Sequence, residues 1–307
     1  MRNKTSSLQQ AVTEHIHNGD AVVLGACLEP MIPFAVSYEI IRQHKTGLNI
    51  IAPISDISTD ILIGAGAVDT ITGAWVGNVS EGLGHNYRRA LEQKIPHPVQ
   101  LVDHSNFSLG MALLAAAYGM PFATNKSLLG SDILSSNAQF QVINNPFSAQ
   151  PDPVVLIPPL TPDIAVLPVQ RADRYGGTHF WGNTGLLQEA ALAAKKILVL
   201  AEEIVDTTVI HSDPNRILFP DFLVCAVVEV PAATHPSPMT GIWQRDTTFF
   251  RDYHRRTRTR EGFLDWLQEW VLDLPDHTAY CRKLGLQLNH LRVQQQYLSA
   301  PVNFADH

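Results

Sequence analysis

Short apolar runs alternate with amphipathic stretches along most of the chain. The first run, Asp20-Ala-Val-Val-Leu-Gly25, ends in glycine and is followed by Pro30, Pro33 and an amphipathic segment from Phe34 to Gln43, which predicts strand, loop and helix. Phe34, Val36, Ile40 and Ile41 fit one broad helical stripe, Pro33 suits a first helical turn where its missing N–H costs nothing, and Gly47 stops the element. Leu48 to Ala52 is a second β-branched run, followed by a polar loop from Ser55 to Asp60 that leads into Ile61-Leu62-Ile63. The alternation repeats with a strand at Thr70 to Trp75, a helix at Asn86 to Gln93, a strand at Val99 to Val102, and a helix rich in Ala and Leu from Phe107 to Tyr118.

From Pro121 to Pro159 the periodicity lapses. Ser, Asn and Pro are frequent there, so this stretch is expected to form loops that wrap the sheet edge or meet another subunit. The pattern resumes with a strand at Ile164 to Val169, a turn at Asp173 to Gly177, a helix at Gln188 to Ala194 and strands at Ile197 to Leu200 and Leu223 to Val230. Beyond Asp246 the spacing of Phe249, Tyr253, Phe263, Trp266 and Trp270 is helical. Strands separated by helices predict an α/β fold: an open, mostly parallel sheet with flanking helices, right-handed crossovers and a C-terminal helical segment. Residues 1–290 read as a single domain and 291–307 as a C-terminal tail of little periodicity.

Composition narrows the function classes. With 307 residues, 45% hydrophobic and 17% charged, the chain is long enough to bury a sizeable core and is not a disordered type. Its 22 Lys plus Arg against 29 Asp plus Glu leave a net charge of −7, which argues against nucleic acid as the main ligand. Cys27, Cys225 and Cys281 are odd in number and far apart, so no disulfide framework or zinc site is expected, and a reducing compartment fits. No stretch approaches a bilayer span and the N-terminus is polar, so a cytoplasmic protein that does not bind membranes is expected. The 13 histidines show no HxH or HExxH spacing, and no metal is expected.

In open parallel sheets, ligands sit beyond the carboxyl ends of the strands, which singles out the loops after Leu24, Ala52, Trp75, Val102, Val169 and Leu200. Gly25 and Ser55 lie in the first two. The third carries Gly77, Asn78, Ser80, Glu81 and two further glycines, so the backbone can approach a ligand closely while side chains offer hydrogen bonds. Ser105 and Asn106 open a helix, where they can bind a carboxylate or simply cap it. Glu202 and Glu203 follow the Leu200 strand directly, from where a carboxylate can act as base or nucleophile. His235 occupies a strand-end turn between Pro231 and Pro236, with functional and structural readings both open. Gly64-Ala-Gly66 lacks the remaining residues of a nucleotide-binding signature and reads as a tight turn. The basic run from Arg251 to Arg260 can hold a phosphate, a nucleotide tail or an acidic partner, or be a solvated helix face.

Taken in order, the segments resemble the α subunit of family I CoA-transferases, and most closely the glutaconate CoA-transferase α-subunit group. The likeness runs through His17-Asn-Gly-Asp20, Pro33-Phe-Ala-Val36, Asp60 to Gly66, Ala115 to Phe122, Asn145-Pro-Phe147, Gln170-Arg-Ala-Asp173, Glu202-Glu-Ile-Val205, Thr234-His-Pro-Ser237 and Lys283-Leu-Gly285, nearly the whole chain. The resemblance implies an α/β fold paired with a homologous β subunit, as a heterodimer or higher hetero-oligomer, with the active site at their junction. It implies that the catalytic glutamate is on β, that an acyl-CoA thioester and a small carboxylic acid are the substrates, and that no cofactor is permanently bound. No catalytic residue is then expected in this chain. Gly25, Ser55, Gly77, Asn78, Ser80, Ser105 and Asn106 are expected to bind the acid.

The sequence departs from the family pattern at Gly25-Ala-Cys27, where Gly-Gly-Phe is expected, and at Gly176-Gly177, where Gly-Asn is expected. The loop Ala52 to Asp56 lacks glycine, so the acid need not be glutaconate. Relatives that hydrolytically open a ring of a steroid-derived CoA thioester carry an α-subunit glutamate near Asp103 to Asn106, and none stands here. Two alternatives therefore accompany the transferase reading. One is a self-contained CoA-thioester hydrolase using Glu81, Glu202 or Glu203, and the other is a non-catalytic protein that binds acyl-CoA or a dicarboxylate.

Overall fold

The computed structural model describes residues 2–294 of the chain. Its large sheet is built from β1 (Ala21–Val23), β2 (Leu48–Ile54), β3 (Val68–Trp75), β4 (Gln100–Asp103), β5 (Ile164–Ala172), β6 (Ile197–Ile204) and β7 (Val224–Glu229). They run parallel in the order β7-β6-β5-β1-β2-β3-β4, and Thr178–His179 pairs antiparallel with β5. Successive side chains of a strand point to opposite faces, and here both faces are apolar. Val22, Leu24, Ile50, Val166, Leu198 and Leu200 belong to one core cluster, whereas Val23, Ile51, Ala165, Leu167, Ile197 and Val199 belong to another. Each buried Val, Leu or Ile contributes roughly 1.5–3 kcal/mol.

Helices cover the first face. Leu8–His15, Phe34–Arg42 and Asp56–Gly64 pack there with the C-terminal helices Thr247–Arg256, Arg260–Leu267 and His277–Leu284. The aromatic rings anticipated beyond Asp246 meet in edge-on contacts, Phe249 with Trp270 at 4.9 Å and Tyr253 with Trp266 at 4.8 Å. The second face is covered by Asn106–Ala117 and Leu187–Ala193. Asn106–Ala117 is apolar nearly all round because it is sandwiched: Leu109 and Leu113 meet the large sheet, while Ala112 and Ala115 meet a smaller one.

That smaller sheet corrects the expectation for residues 121–159. Ala123–Asn125, Gln141–Asn144 and Pro153–Ile157 form a three-stranded antiparallel sheet, with a short helix at Asp132–Ser136. Its strands are three to five residues long and Gln141–Asn144 is exposed throughout, so no alternation marks them in the sequence. A second correction concerns Ser55 to Asp60. This stretch is the start of the helix Asp56–Gly64 and is buried, its polar groups satisfied from elsewhere: Ser58 shares a 2.8 Å hydrogen bond with Ser37, and Asp60 accepts from the Tyr253 hydroxyl at 2.6 Å. Of the predicted tail, residues 295–307 lie outside the described residues. Its first part is paired, with the Val293 N–H donating to the Ile242 carbonyl at 2.9 Å and Arg292 bridging Trp243.

Candidate active site

The strand order reverses between β1 and β5, so the chain leaves the middle of the sheet in two directions. A crevice opens beyond the carboxyl ends at such a switch point. Gly25, directly after β1, has φ +76°, and a Cβ there would lie 2.8 Å from the Ile54 carbonyl oxygen and 3.3 Å from the Ser55 Cα. Only glycine permits that approach, so the structure brings Gly25 and Ser55 together backbone to backbone. The buried Ser55 hydroxyl is hydrogen-bonded to Thr59.

The next residue, Asp56, organises the loop after β3. It has φ +47° and no exposed surface. Its carboxylate accepts from the Val79 N–H at 3.1 Å and from Arg245 Nη1 at 2.7 Å. Arg245 also donates to the Ser80 hydroxyl at 3.2 Å and lies 3.7 Å above the Phe250 ring. Asn78 donates to the Phe250 carbonyl at 2.7 Å and accepts from the Ser80 N–H at 3.1 Å. Gly77–Asn78 and Gly82–Leu83 pair as a minute hairpin, and a Cβ on Gly77 would lie 2.6 Å from the Gly82 carbonyl oxygen. The glycine-rich segment is therefore a fixed turn. Burial raises the Asp56 carboxyl pKa, and the Arg245 guanidinium pulls it back.

Ser105 and Asn106 lie beyond β4, and no hydrogen bond among the described residues joins them to the Asp56–Arg245 group. Ser105 caps the following helix: its hydroxyl accepts from the Ser108 N–H at 3.0 Å, and its own N–H donates to the Ser108 hydroxyl at 2.9 Å. Asn106 is exposed at the helix start. Between them and β4, His104 is buried against Phe140 and shares a 3.1 Å hydrogen bond with Ser108, and burial brings its pKa down to about 4.

The three candidate glutamates do not converge. Glu81 is exposed and pairs with Arg251 at 3.3 Å. Glu202 and Glu203 belong to β6, which continues through them to Ile204 and does not end at Leu200. Glu203 is exposed and pairs with Arg171 at 3.4 Å. Glu202 is largely buried, accepts from the Ala232 N–H at 2.7 Å and from Trp243 Nε1 at 2.9 Å, and lines a pocket of about 420 Å³. Burial raises its pKa to about 7, outweighing both donors.

Other residues that the sequence singled out are held by internal contacts. His235 is buried between the Tyr280 hydroxyl at 2.7 Å and Asp246 at 3.2 Å. The basic run is tied into the molecule at two points, with Arg256 pairing Glu269 at 2.7 Å and Arg260 donating to the Gly64 carbonyl at 2.6 Å, while the Arg251 and Arg255 side chains are exposed. Gly64 ends its helix, and Gly66 turns with φ +82°. Asp56 and Arg245 were missed by sequence reasoning. Asp56 stood in the polar stretch after β2, but nothing local marks a partner 189 positions away. Among the described residues no group of three or more His, Cys, Asp or Glu could hold a metal, and no helix is long and apolar enough to cross a membrane.

Comparison with known proteins places this geometry. Residues 5–230 match the family described as Coenzyme A transferase. The chain is 35% identical to a subunit of the 3-oxoadipate CoA-transferase of Pseudomonas knackmussii over 279 residues, 91% of this chain and 97% of that one. It is 30% identical to a subunit of the glutaconate CoA-transferase of Acidaminococcus fermentans, with 95% of both chains covered. The crystal structure of glutaconate coenzyme A-transferase from the same organism superposes with a TM-score of 0.88 at 30% identity, covering 94% of this chain and 96% of that one.

Proposed function

The chain belongs to the Coenzyme A transferase family, and on that premise we propose that it is the α-type subunit of a heteromeric acyl-CoA:carboxylate CoA-transferase. Its strand-end loops bind the acid, and a homologous β subunit supplies the glutamate nucleophile. The reading takes residues 1–290 as one functional unit. Both relatives are named for dicarboxylic acids, which makes short dicarboxylates the first acids to assay.

The observation that carries the reading is the state of the strand-end carboxylates Asp56 and Glu202; a third, Asp173, is buried just after β5 and is held by the Tyr175 and Gly177 N–H groups. Covalent transfer needs an ionised carboxylate with a free lone pair facing the thioester carbonyl. That carboxylate attacks, forms an acyl anhydride and releases CoA thiolate. The thiolate then attacks the anhydride at the enzyme's carbonyl, frees the first acid and leaves an enzyme thioester for the incoming acid to resolve. Asp56 is committed to Arg245 and the Val79 N–H, and Glu202 is substantially protonated near neutrality with both oxygens accepting. Neither is suited to be the nucleophile. Asn106, exposed at a helix start, and Ser80, beside Arg245, suit an anionic acid in transit.

The Glu202 pocket favours a second reading. A glutamate with a pKa of about 7 in a pocket is matched to general-base activation of water, hence to thioester hydrolysis. The experiment is recovery of this chain with its partners from native cells, followed by exchange of isotope between a CoA thioester and a free dicarboxylate. Transfer predicts exchange that needs a homologous partner and survives Glu81→Ala, Glu202→Ala and Glu203→Ala in this chain. Thiol release without an acceptor acid, abolished by one of those three substitutions, would establish hydrolysis instead.

A further inference from the structure

The pocket at Glu202 lies on the other side of the switch point from Asp56, at the ends of β5 and β6, and the transfer reading gives it no role. Its construction is specific. Gln170 of β5 donates to the carbonyls of Trp181 at 2.7 Å and Thr240 at 3.1 Å and accepts from the Trp181 N–H at 3.2 Å, tying both flanking loops to the sheet. Glu202 then fixes the Trp243 indole by accepting from its Nε1. Arg292 lies over Trp243 at 5.5 Å, and Arg171 lies over Trp181 at 5.7 Å while pairing with Glu203. The result is a concavity with two indole walls, two guanidinium groups and two carboxyls, Glu202 largely buried and Glu203 exposed, of a size that holds a small molecule.

We propose that this pocket binds a small organic carboxylate with an apolar body, its carboxylate beside Arg292 and Glu202 and its apolar part against Trp181 and Trp243. The charges select the ligand. Arg171 is offset by Glu203, so Arg292 is the cation that an incoming anion meets at the Trp243 wall. Glu202 sets the condition. Protonated, it donates to the ligand carboxylate; ionised, it repels it. The groups that face it are Arg171 and Glu203 across β5 and β6, Arg292 from the C-terminal segment, and Cys281, whose thiol is pushed up to about 11 by burial and then by the Glu202 charge. A raised carboxyl pKa means that the binding form dominates below about 7 and is lost above it.

The test titrates the full chain with hexanoate, which involves no thioester and so does not depend on the transfer reading. Tryptophan fluorescence and heat are followed at pH 6 and pH 8. Saturable binding roughly tenfold tighter at pH 6 is expected, one proton being linked across that interval. Glu202→Gln is expected to bind equally at both pH values. Arg292→Met is expected to lose at least about tenfold at both, and Arg292→Gln serves as a second variant if that one misfolds. The proposal is overturned if hexanoate does not saturate the parent at pH 6, if both arginine variants bind as the parent does, or if Glu202→Gln keeps the parent's pH slope.

Discussion

Asp56 and Glu202 stand on opposite sides of the switch point, each a carboxylate buried at the end of a parallel strand, and the fold treats them differently. Asp56 meets a guanidinium at 2.7 Å, whereas the direct partners of Glu202 are the Ala232 N–H and the Trp243 indole, both neutral. Burial raises both pKa values. A cation answers that cost for Asp56 with a fixed ion pair, which ties the loop after β3 and the segment before Thr247–Arg256 to the switch point. Neutral donors answer it only in part, and Glu202 is left titratable at about 7. Similar burial thus yields a strut on one side and a proton-holding group on the other.

The largest expected effect breaks the strut. Arg245→Met leaves Asp56 buried without its cation and is expected to cost about 3–5 kcal/mol in urea unfolding. Adding Asp56→Asn is expected to recover much of that loss, and failure to recover it would mean that Arg245 acts through Phe250 or Ser80 instead. The second prediction concerns Glu202 and its sign. Because its folded pKa of about 7 lies above the ordinary glutamate value of 4.5, the native state binds more protons than the unfolded state between those values, and stability falls as pH rises through that window. Glu202→Gln removes the slope, so its stability relative to the parent is expected to improve by on the order of 3 kcal/mol between pH 4.5 and pH 8, read from denaturation at each pH.

A smaller effect sharpens the geometry on the Asp56 side. Gly25→Ala places a Cβ against the Ile54 carbonyl at positive φ, for an expected loss of about 2 kcal/mol and a shift of the Ser55–Asp56 backbone. Loss of CoA transfer in the assembled enzyme beyond what that destabilisation explains would mark the loop as part of the acid's site. The smallest is Ser105→Ala, at a strand end that neither carboxylate touches. Loss of the cap alone costs about 1 kcal/mol, and unchanged transfer after correction for folded protein would assign Ser105 to the helix and not to the substrate.

Much of the fold was legible because its code is local. The apolar runs at residues 48–52, 164–169 and 197–200 lie in β2, β5 and β6, and the stripe from Phe34 to Ile41 lies in Phe34–Arg42. The smaller sheet was not legible, since strands of three to five residues, one of them exposed throughout, carry no period to read. Nor was the helical start at Asp56 to Asp60, whose Ser, Thr and Asp side chains read as loop while their hydrogen bonds come from Ser37, Asn86 and Tyr253. At the site, Gly25 and Ser55 were marked separately by their strand-end positions. Their contact, and the link of Gly77, Asn78 and Ser80 to Asp56, depended on the fold.

The sequence by itself determined the order of the strands of the large sheet and most of its helices, the apolar character of its central strands and the group of loops that gather at the carboxyl edge, because these follow from side-chain period and turn chemistry over a few residues. Only the tertiary structure decided which of the acidic residues are struts, which is titratable and which are solvated pairs. Those fates depend on desolvation and on partners such as Arg245, 189 positions from Asp56, and Trp243, 41 positions from Glu202. Charge states inside a protein are set by what lies within a few ångströms, and chain folding, not chain order, chooses those neighbours.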